Sequence, residues 1–233
     1  MNVAVIPARG GSKRIPRKNI KLFCGKPIIA YSIETAIRSD IFNKVIVSTD
    51  DREIATIAKN YGADVPFVRP AELADDFTTT GSVIAHAARR IQKEVGKLSA
   101  VCCIQATAPF IKKDDLIKAY NIFNTKKWNY VFTATSFVYP IQRAFMKLKE
   151  DGIKMLQPEH FLTRSQDLPE TYHDAGQFYF GKTDAWLKNI ITFSEKSTIL
   201  TIPPYRAVDI DTEEDWIRAE LIMELLKNNN FYN

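Results

Sequence analysis

Apolar residues along this chain fall in short unbroken runs separated by stretches with a helical repeat. Val3–Ile6, Lys44–Thr49 ("KVIVST"), Ala100–Ile104 and Tyr130–Thr135 each read as buried strands. Between them, Pro27 opens a helix that places Ile29, Ile33, Ala36 and Ile37 on one face. Asp50, with Glu53 three residues on, caps a second helix that Gly62 closes. Two more helices are expected over Thr80–Val95 and Asp114–Asn124. Buried strands alternating with amphipathic helices predict an α/β fold, a mostly parallel sheet with helices on both faces. Ligands of such sheets sit beyond the carboxyl ends of the strands.

The pattern breaks after Phe137. From about residue 138 to 172 the text is irregular and carries Pro140, Pro158 and Pro169. A structureless loop of that length is unexpected in a compact domain. The segment reads as an arm, a β-hairpin excursion that packs on a second copy, inserted in a single domain spanning 1–233. Strand-like text returns at Gln177–Gly181, Thr198–Ile202 and Ala207–Ile210. Thr212 then caps a last helix burying Trp216, Ala219, Met223 and Leu226.

Composition narrows the setting. No apolar run reaches the ~20 residues that span a bilayer. The N-terminus lacks the layout of a secretory signal. Cys102 and Cys103 are adjacent in a strand and point to opposite faces, so with Cys24 they form no disulfide set. A cytoplasmic protein without membrane contact is expected. The net charge is +5, yet the first 33 residues hold seven basic side chains and no acid. That is a local anion site rather than a basic surface all round, and a nucleic-acid partner would need more than so short a patch.

The site centres on "ARGGSKRIPRKN", Ala8 to Asn19, directly after the first strand. It matches neither G-x-x-x-x-G-K-[ST] nor G-x-G-x-x-G. Gly10 and Gly11 would allow positive φ and close backbone approach, so that N–H groups face an anion. Arg9 offers a planar fork for phosphate oxygens and Lys13 a compact charge. Charge-assisted hydrogen bonds contribute about 1.5–3 kcal/mol each, so about three of the five cations suffice to hold a triphosphate. Arg14 and Arg17 are left as solvated charge.

In "AVDIDTEEDW", Asp209 and Asp211 are two apart in a strand-like run and share a face. Paired carboxylates suit a hard dication such as Mg²⁺. The alternative puts Asp211 in a turn before the last helix. Glu213, Glu214 and Asp215 complement the helix dipole. At a strand end, "IQATAPF" offers Gln105 and Thr107 to a polyhydroxy substrate, and "HDAGQFYFG" gathers His173, Asp174 and Gln177 around a glycine. His86, His160 and His173 lack metal-ligand spacing, and no Ser or Cys stands in a nucleophile elbow, so zinc hydrolysis and acyl transfer are disfavoured. The residues point to metal-assisted chemistry on a nucleoside triphosphate. A noncatalytic nucleotide or RNA binder would account for the basic loop but gives the aspartates no role.

"IPARGGSKRIPRKNI", "GKPIIAYSIE", "IVSTDDREIA", "RPAELADD" and "DIDTEEDW" occur in the order and spacing of the acylneuraminate cytidylyltransferases, which make CMP-activated nonulosonic acids. The chain resembles that family over nearly its whole length. Its "IQATAPF" and "HDAGQFYFG" segments look most like the branch acting on pseudaminic acid, with the N-acetylneuraminate and legionaminate branches as alternatives. The resemblance implies a Rossmann-like nucleotidyltransferase fold, a homodimer formed partly through the arm, Mg²⁺ dependence, and CTP and a nonulosonic acid as substrates. It places Arg9, Ser12, Lys13, Lys18 and Asn19 in the CTP-binding loop, with Ala8, Gly10 and Gly11 as its backbone. Arg69 falls on a nucleotide-recognition position, Gln105 on a sugar contact, and Asp209 with Asp211 on the metal pair. Arg164 and Gln177 join as further sugar contacts, beside Thr107, which is read from its place at the strand end.

Overall fold

The structure is a computed structural model and describes residues 1–228. In chain order the elements are β1 (Asn2–Pro7), the small hairpin β2 (Leu22–Phe23) and β3 (Lys26–Pro27), α1 (Ile28–Arg38), β4 (Lys44–Ser48) and α2 (Arg52–Asn60). There follow α3 (Thr80–Val95), β5 (Ala100–Ile104), α4 (Lys113–Asn124), β6 (Tyr130–Ser136), β7 (Phe145–Lys147) and β8 (Ile153–Met155). Last come β9 (Tyr172–Lys182), α5 (Thr183–Leu187), β10 (Ser197–Thr201) and α6 (Glu213–Asn228). Six strands form one sheet in the order β10-β6-β9-β5-β1-β4. All run parallel except β9, which is antiparallel to both its neighbours.

Strand alternation divides the core in two. Ala4, Ile6 and Cys102 face Ile29 and Ile33 of α1, Ile54 of α2 and Leu116 of α4. Val3, Val5 and Cys103 face Ile84 and Ile91 of α3 and Trp186 of α5. Helices therefore cover both faces, and the adjacent cysteines point into different cores as free thiols. A third cluster packs Trp216, Ala219 and Met223 of α6 against Ile15, Phe23 and Tyr31. This last contact matters most for the site, because it carries the residues just before α6 back over the loop that follows β1.

Four expectations are corrected. Asp51, not Asp50, caps α2: its Oδ1 accepts the Ile54 N–H at 2.9 Å, because Asp50 is turned to the loop instead. Ile37 lies outside the buried face of α1 and is 44% exposed. The Gln177–Gly181 strand is the end of the eleven-residue β9. That strand enters the sheet from the arm and not through a crossover helix, which is why it runs antiparallel. Ala207–Ile210 forms no strand; it pairs with no neighbour, and Lys18 Nζ instead takes the Ile210 carbonyl at 2.6 Å. Residues 138–172 hold the short hairpin of β7 and β8 among 3₁₀ turns, and no helix of the described residues is long and apolar enough to cross a membrane.

Candidate active site

The loop after β1 is fastened from beneath by acids at the end of β4. The Gly10 N–H donates to Asp50 Oδ1 at 3.0 Å. Arg17, in the left-handed region at φ 57°, pairs with both Asp51 and Glu53. Hydrogen bonding from Arg17 brings the Asp51 carboxyl down to about 2, so it stays an anion. Asn19 Nδ2 donates to the Arg9 carbonyl at 2.9 Å and closes the loop. Arg17 is therefore a strut, not solvated charge.

Neither loop glycine has the positive φ expected of it; among the described residues those glycines are Gly25, Gly62, Gly96 and Gly176. Gly10 is needed for space. A Cβ there would stand 2.7 Å from Asp51 Oδ2, and Asp51 is held by Arg17 and by its capping bond, so it cannot yield. Gly10→Ala should lift the loop and weaken binding of the triphosphate expected there about tenfold, at the low end of overpacking costs. Unchanged affinity by titration calorimetry would mean that the loop tolerates the displacement. A Cβ at Gly11 would meet nothing within 4 Å.

Above this footing the cations converge. Arg9 Nη1 lies 2.7 Å from Asp76 Oδ1, and Lys13 Nζ lies 2.5 Å from Asp76 Oδ2. The Lys13 and Arg9 hydrogen bonds hold the exposed Asp76 carboxyl below its usual range. Two cations from one loop thus close on the two oxygens of one anion. Arg69 is buried at 4% exposure, anchored on the Ser48 carbonyl and hydroxyl at the end of β4. These groups line a cleft of about 510 Å³ together with Ser12, Lys18, Asn19, Gln105 and Thr107. Ala8 is buried below it, its N–H donating to the Ser48 carbonyl at 2.9 Å.

The α6 lead-in meets the loop through Asp211, which does not itself line this cleft. Lys18 Nζ reaches Asp211 Oδ1 at 3.2 Å and Arg14 Nη1 reaches Asp211 Oδ2 at 2.8 Å. Arg14 is consequently paired rather than merely solvated. Thr212 and Asp215 cap α6 reciprocally, and Asp215 Oδ2 also accepts the Asp211 N–H at 3.2 Å, so Asp215 fixes backbone as well as answering the helix dipole. Burial, and next the nearby Asp211 carboxylate, push the Asp209 carboxyl up from its ordinary value. A second cavity of about 420 Å³ opens beyond Gln105 and Thr107, which both cavities share, and runs to Asp209, Asp174 and Tyr179.

The sequence-derived residues thus fall into three groups. Arg9, Ser12, Lys13, Lys18, Asn19, Arg69, Gln105 and Thr107 share the first cavity, and Asp209 lies in the second. Gln177 is buried at 2% exposure; its Nε2 donates to the Arg206 carbonyl and its carbonyl accepts the Gln105 N–H. It braces Gln105 and does not itself face either cavity. Arg164 stands in the arm, paired with Asp167 and lining neither cavity. Asp76 and Tyr179 carried no role in the sequence reading. "RPAELADD" held Asp76 in plain view, but its tie to Arg9 spans 67 positions.

Comparison with known proteins gives the family and the fold. A family model described as cytidylyltransferase matches residues 3–206. The pseudaminic acid cytidylyltransferase of Campylobacter jejuni is 45% identical over 224 residues, covering 96% of this chain and 97% of its own. The CMP-N,N'-diacetyllegionaminic acid synthase of Legionella pneumophila is 31% identical over 230 residues, covering 96% of each. A CMP:2-keto-3-deoxy-manno-octonic acid synthetase solved with CTP superposes with a TM-score of 0.70 at 15% identity, covering 96% of this chain and 98% of that one. With the sequence match nearly end to end and the fold shared, the chain belongs to the cytidylyltransferase family.

Proposed function

We propose that this enzyme transfers CMP from CTP to the anomeric hydroxyl of a nonulosonic acid, pseudaminic acid first among them, and releases pyrophosphate. One observation of the site carries the reading: Arg9 and Lys13, at the end of β1, close together on a single anionic group. A phosphate group presents the same charge and the same spread of acceptor oxygens, so a triphosphate laid along the loop would take the place of Asp76. The choice of sugar acid comes from the near full-length likeness to the pseudaminic acid enzyme.

In this reading Arg9 and Lys13 neutralise charge that builds on the leaving pyrophosphate. Lys18 and Asn19 fix the loop, and Arg69, rigid and buried, orients the nucleotide. Gln105 and Thr107 stand at the junction of the two cavities, where the attacking hydroxyl must approach the α-phosphorus. Asp209 and Asp211 fit Mg²⁺: they are hard oxygen donors, and burial first, then the Asp211 carboxylate, raise the Asp209 carboxyl, a cost to its anion that a dication would offset. Among the described residues no cluster of three or more acidic, His or Cys side chains forms a metal site, so the remaining ligands must be phosphate oxygens and water. The chemistry such an ion supplies when bound is polarisation of a phosphate oxygen and easier loss of the attacking hydroxyl's proton.

The arm suits a homodimer. Phe145, Met146 and Ile153 of its hairpin and the flanking Leu162 all stand exposed, and a second copy of the chain would cover them. Arg164 would reach sugar only in that setting. A monomeric mass in solution would count against it. The function itself is tested by giving the enzyme CTP, Mg²⁺ and pseudaminic, legionaminic, N-acetylneuraminic or Kdo acid in turn. Fastest turnover is expected with pseudaminic acid. Preference for another acid would move the chain to that branch of the family, and turnover with none would overturn the reading.

A further inference from the structure

The second cavity owes its polar wall to an irregularity in β9. While β6 steps by two, from Phe132 to Ala134, the paired residue on β9 steps by five, from Tyr179 to Asp174. In an unbroken strand, residues an odd number apart point to opposite faces. The bulge resets that parity, so that Asp174 and Tyr179 line the same cavity. Gly176 makes the turn at φ 63°, and its N–H donates to Asp174 Oδ1 at 2.9 Å. The Tyr179 hydroxyl donates to Asp174 Oδ2. Burial and the Asp174 carboxylate push that hydroxyl up from its ordinary value, so it remains a donor.

Each carboxylate oxygen is thereby held once. A carboxylate accepts about four hydrogen bonds, so about two positions remain for a ligand. Asp209 borders the same cavity on the side given to Mg²⁺, so Asp174 is the carboxylate left bare to the ligand there. Such a wall repels a ligand's own carboxylate and calls for N–H or O–H donors. Taking the proposed function as given, the sugar acid has one anionic end and amide donors on its acylamino groups.

We propose that Asp174, set in place by Tyr179, is a specificity-determining residue that accepts a hydrogen bond from an acylamino N–H of the sugar acid and turns the sugar's carboxylate away from this wall. It selects amino-sugar acids over those that carry hydroxyls alone. His173, beside it, also lines the cavity, with Nδ1 within 2.9 Å of the Asp174 carbonyl.

The test is steady-state kinetics of Asp174→Asn, which keeps shape and loses an acceptor. The KM for pseudaminic acid should rise about tenfold or more, as for loss of a charge-assisted hydrogen bond, with the KM for CTP unchanged. Preference for pseudaminic acid over Kdo should narrow by a similar factor. Tyr179→Phe, which frees the carboxylate from its clamp, should shift the sugar KM the same way by a smaller factor and carries the test if Asp174→Asn does not fold. An unchanged sugar KM in an active variant, or an equal loss with Kdo, overturns the assignment and leaves the function standing. A wild-type enzyme inactive with every acid overturns both.

Discussion

Asp211→Asn should cut Mg²⁺-dependent release of pyrophosphate from CTP by about a thousandfold while leaving the fold intact. Asp211 is the point where the α6 lead-in meets the cationic loop, joined to Lys18 and Arg14. Those pairs are partly exposed, with side-chain exposures of 33% for Asp211 and 66% for Arg14, and exposed pairs add about 0–1 kcal/mol to stability. The melting temperature should therefore hold within a few degrees. Activity is another matter, because charge stabilisation by a metal ion is worth several kcal/mol, and about 4 kcal/mol is about three decades in rate. Arg38→Ala at the far end of α1 serves as the control. Near-wild-type release by Asp211→Asn would end the metal assignment.

Arg206→Ala should destabilise the fold by about 3–5 kcal/mol. Arg206 pairs directly with Asp115 of α4, and their side chains are only 7% and 10% exposed. Truncating one partner strands the other's charge in the core. For a chain of this size that corresponds to a drop of roughly 6–20 °C in melting temperature. Replacing both, as Arg206→Met with Asp115→Leu, should recover most of the loss, because the isolated charge is then gone. The Arg206 carbonyl also receives Gln177, whose own carbonyl receives the Gln105 N–H, so the single variant should loosen the sugar side of the cleft as well. A loss below about 1 kcal/mol in thermal or urea unfolding would show that water reaches the pair.

The parts of the fold legible in the sequence were those written in local periodicity. Runs such as Val3–Ile6 and Lys44–Thr49 name buried strands because few other contexts accept unbroken apolar residues. Thr212 and Asp215 announce a helix start through a pairing three residues apart. What local text could not carry was long-range. The reversed direction of β9 depends on where the arm re-enters the sheet. The Arg206–Asp115 pair joins positions 91 apart. Ala207–Ile210 alternates like a strand, but alternation also arises when an irregular segment buries Ile210 under α6 between two polar residues.

The site divides along the same line. A basic loop with two glycines at a strand end named the anion cradle, because one short segment contains it. Arg9 and Lys13 were set apart there as the phosphate ligands, but the partners of the other cations were not readable: the structure commits Arg17 to Asp51 and Glu53 and Arg14 to Asp211. The role of Asp174 depends on a bulge that no single-strand pattern reveals.

The central claim is that Arg9, Lys13 and the Asp209–Asp211 pair serve one reaction, transfer of CMP to a free sugar acid. Phosphorus NMR of the enzyme with Mg²⁺, pseudaminic acid and each of CTP, UTP and GTP tests it most directly. The expected result is a CMP–sugar phosphodiester and one equivalent of pyrophosphate from CTP alone. Product formed only from a sugar 1-phosphate, or equally from UTP or GTP, would contradict the account.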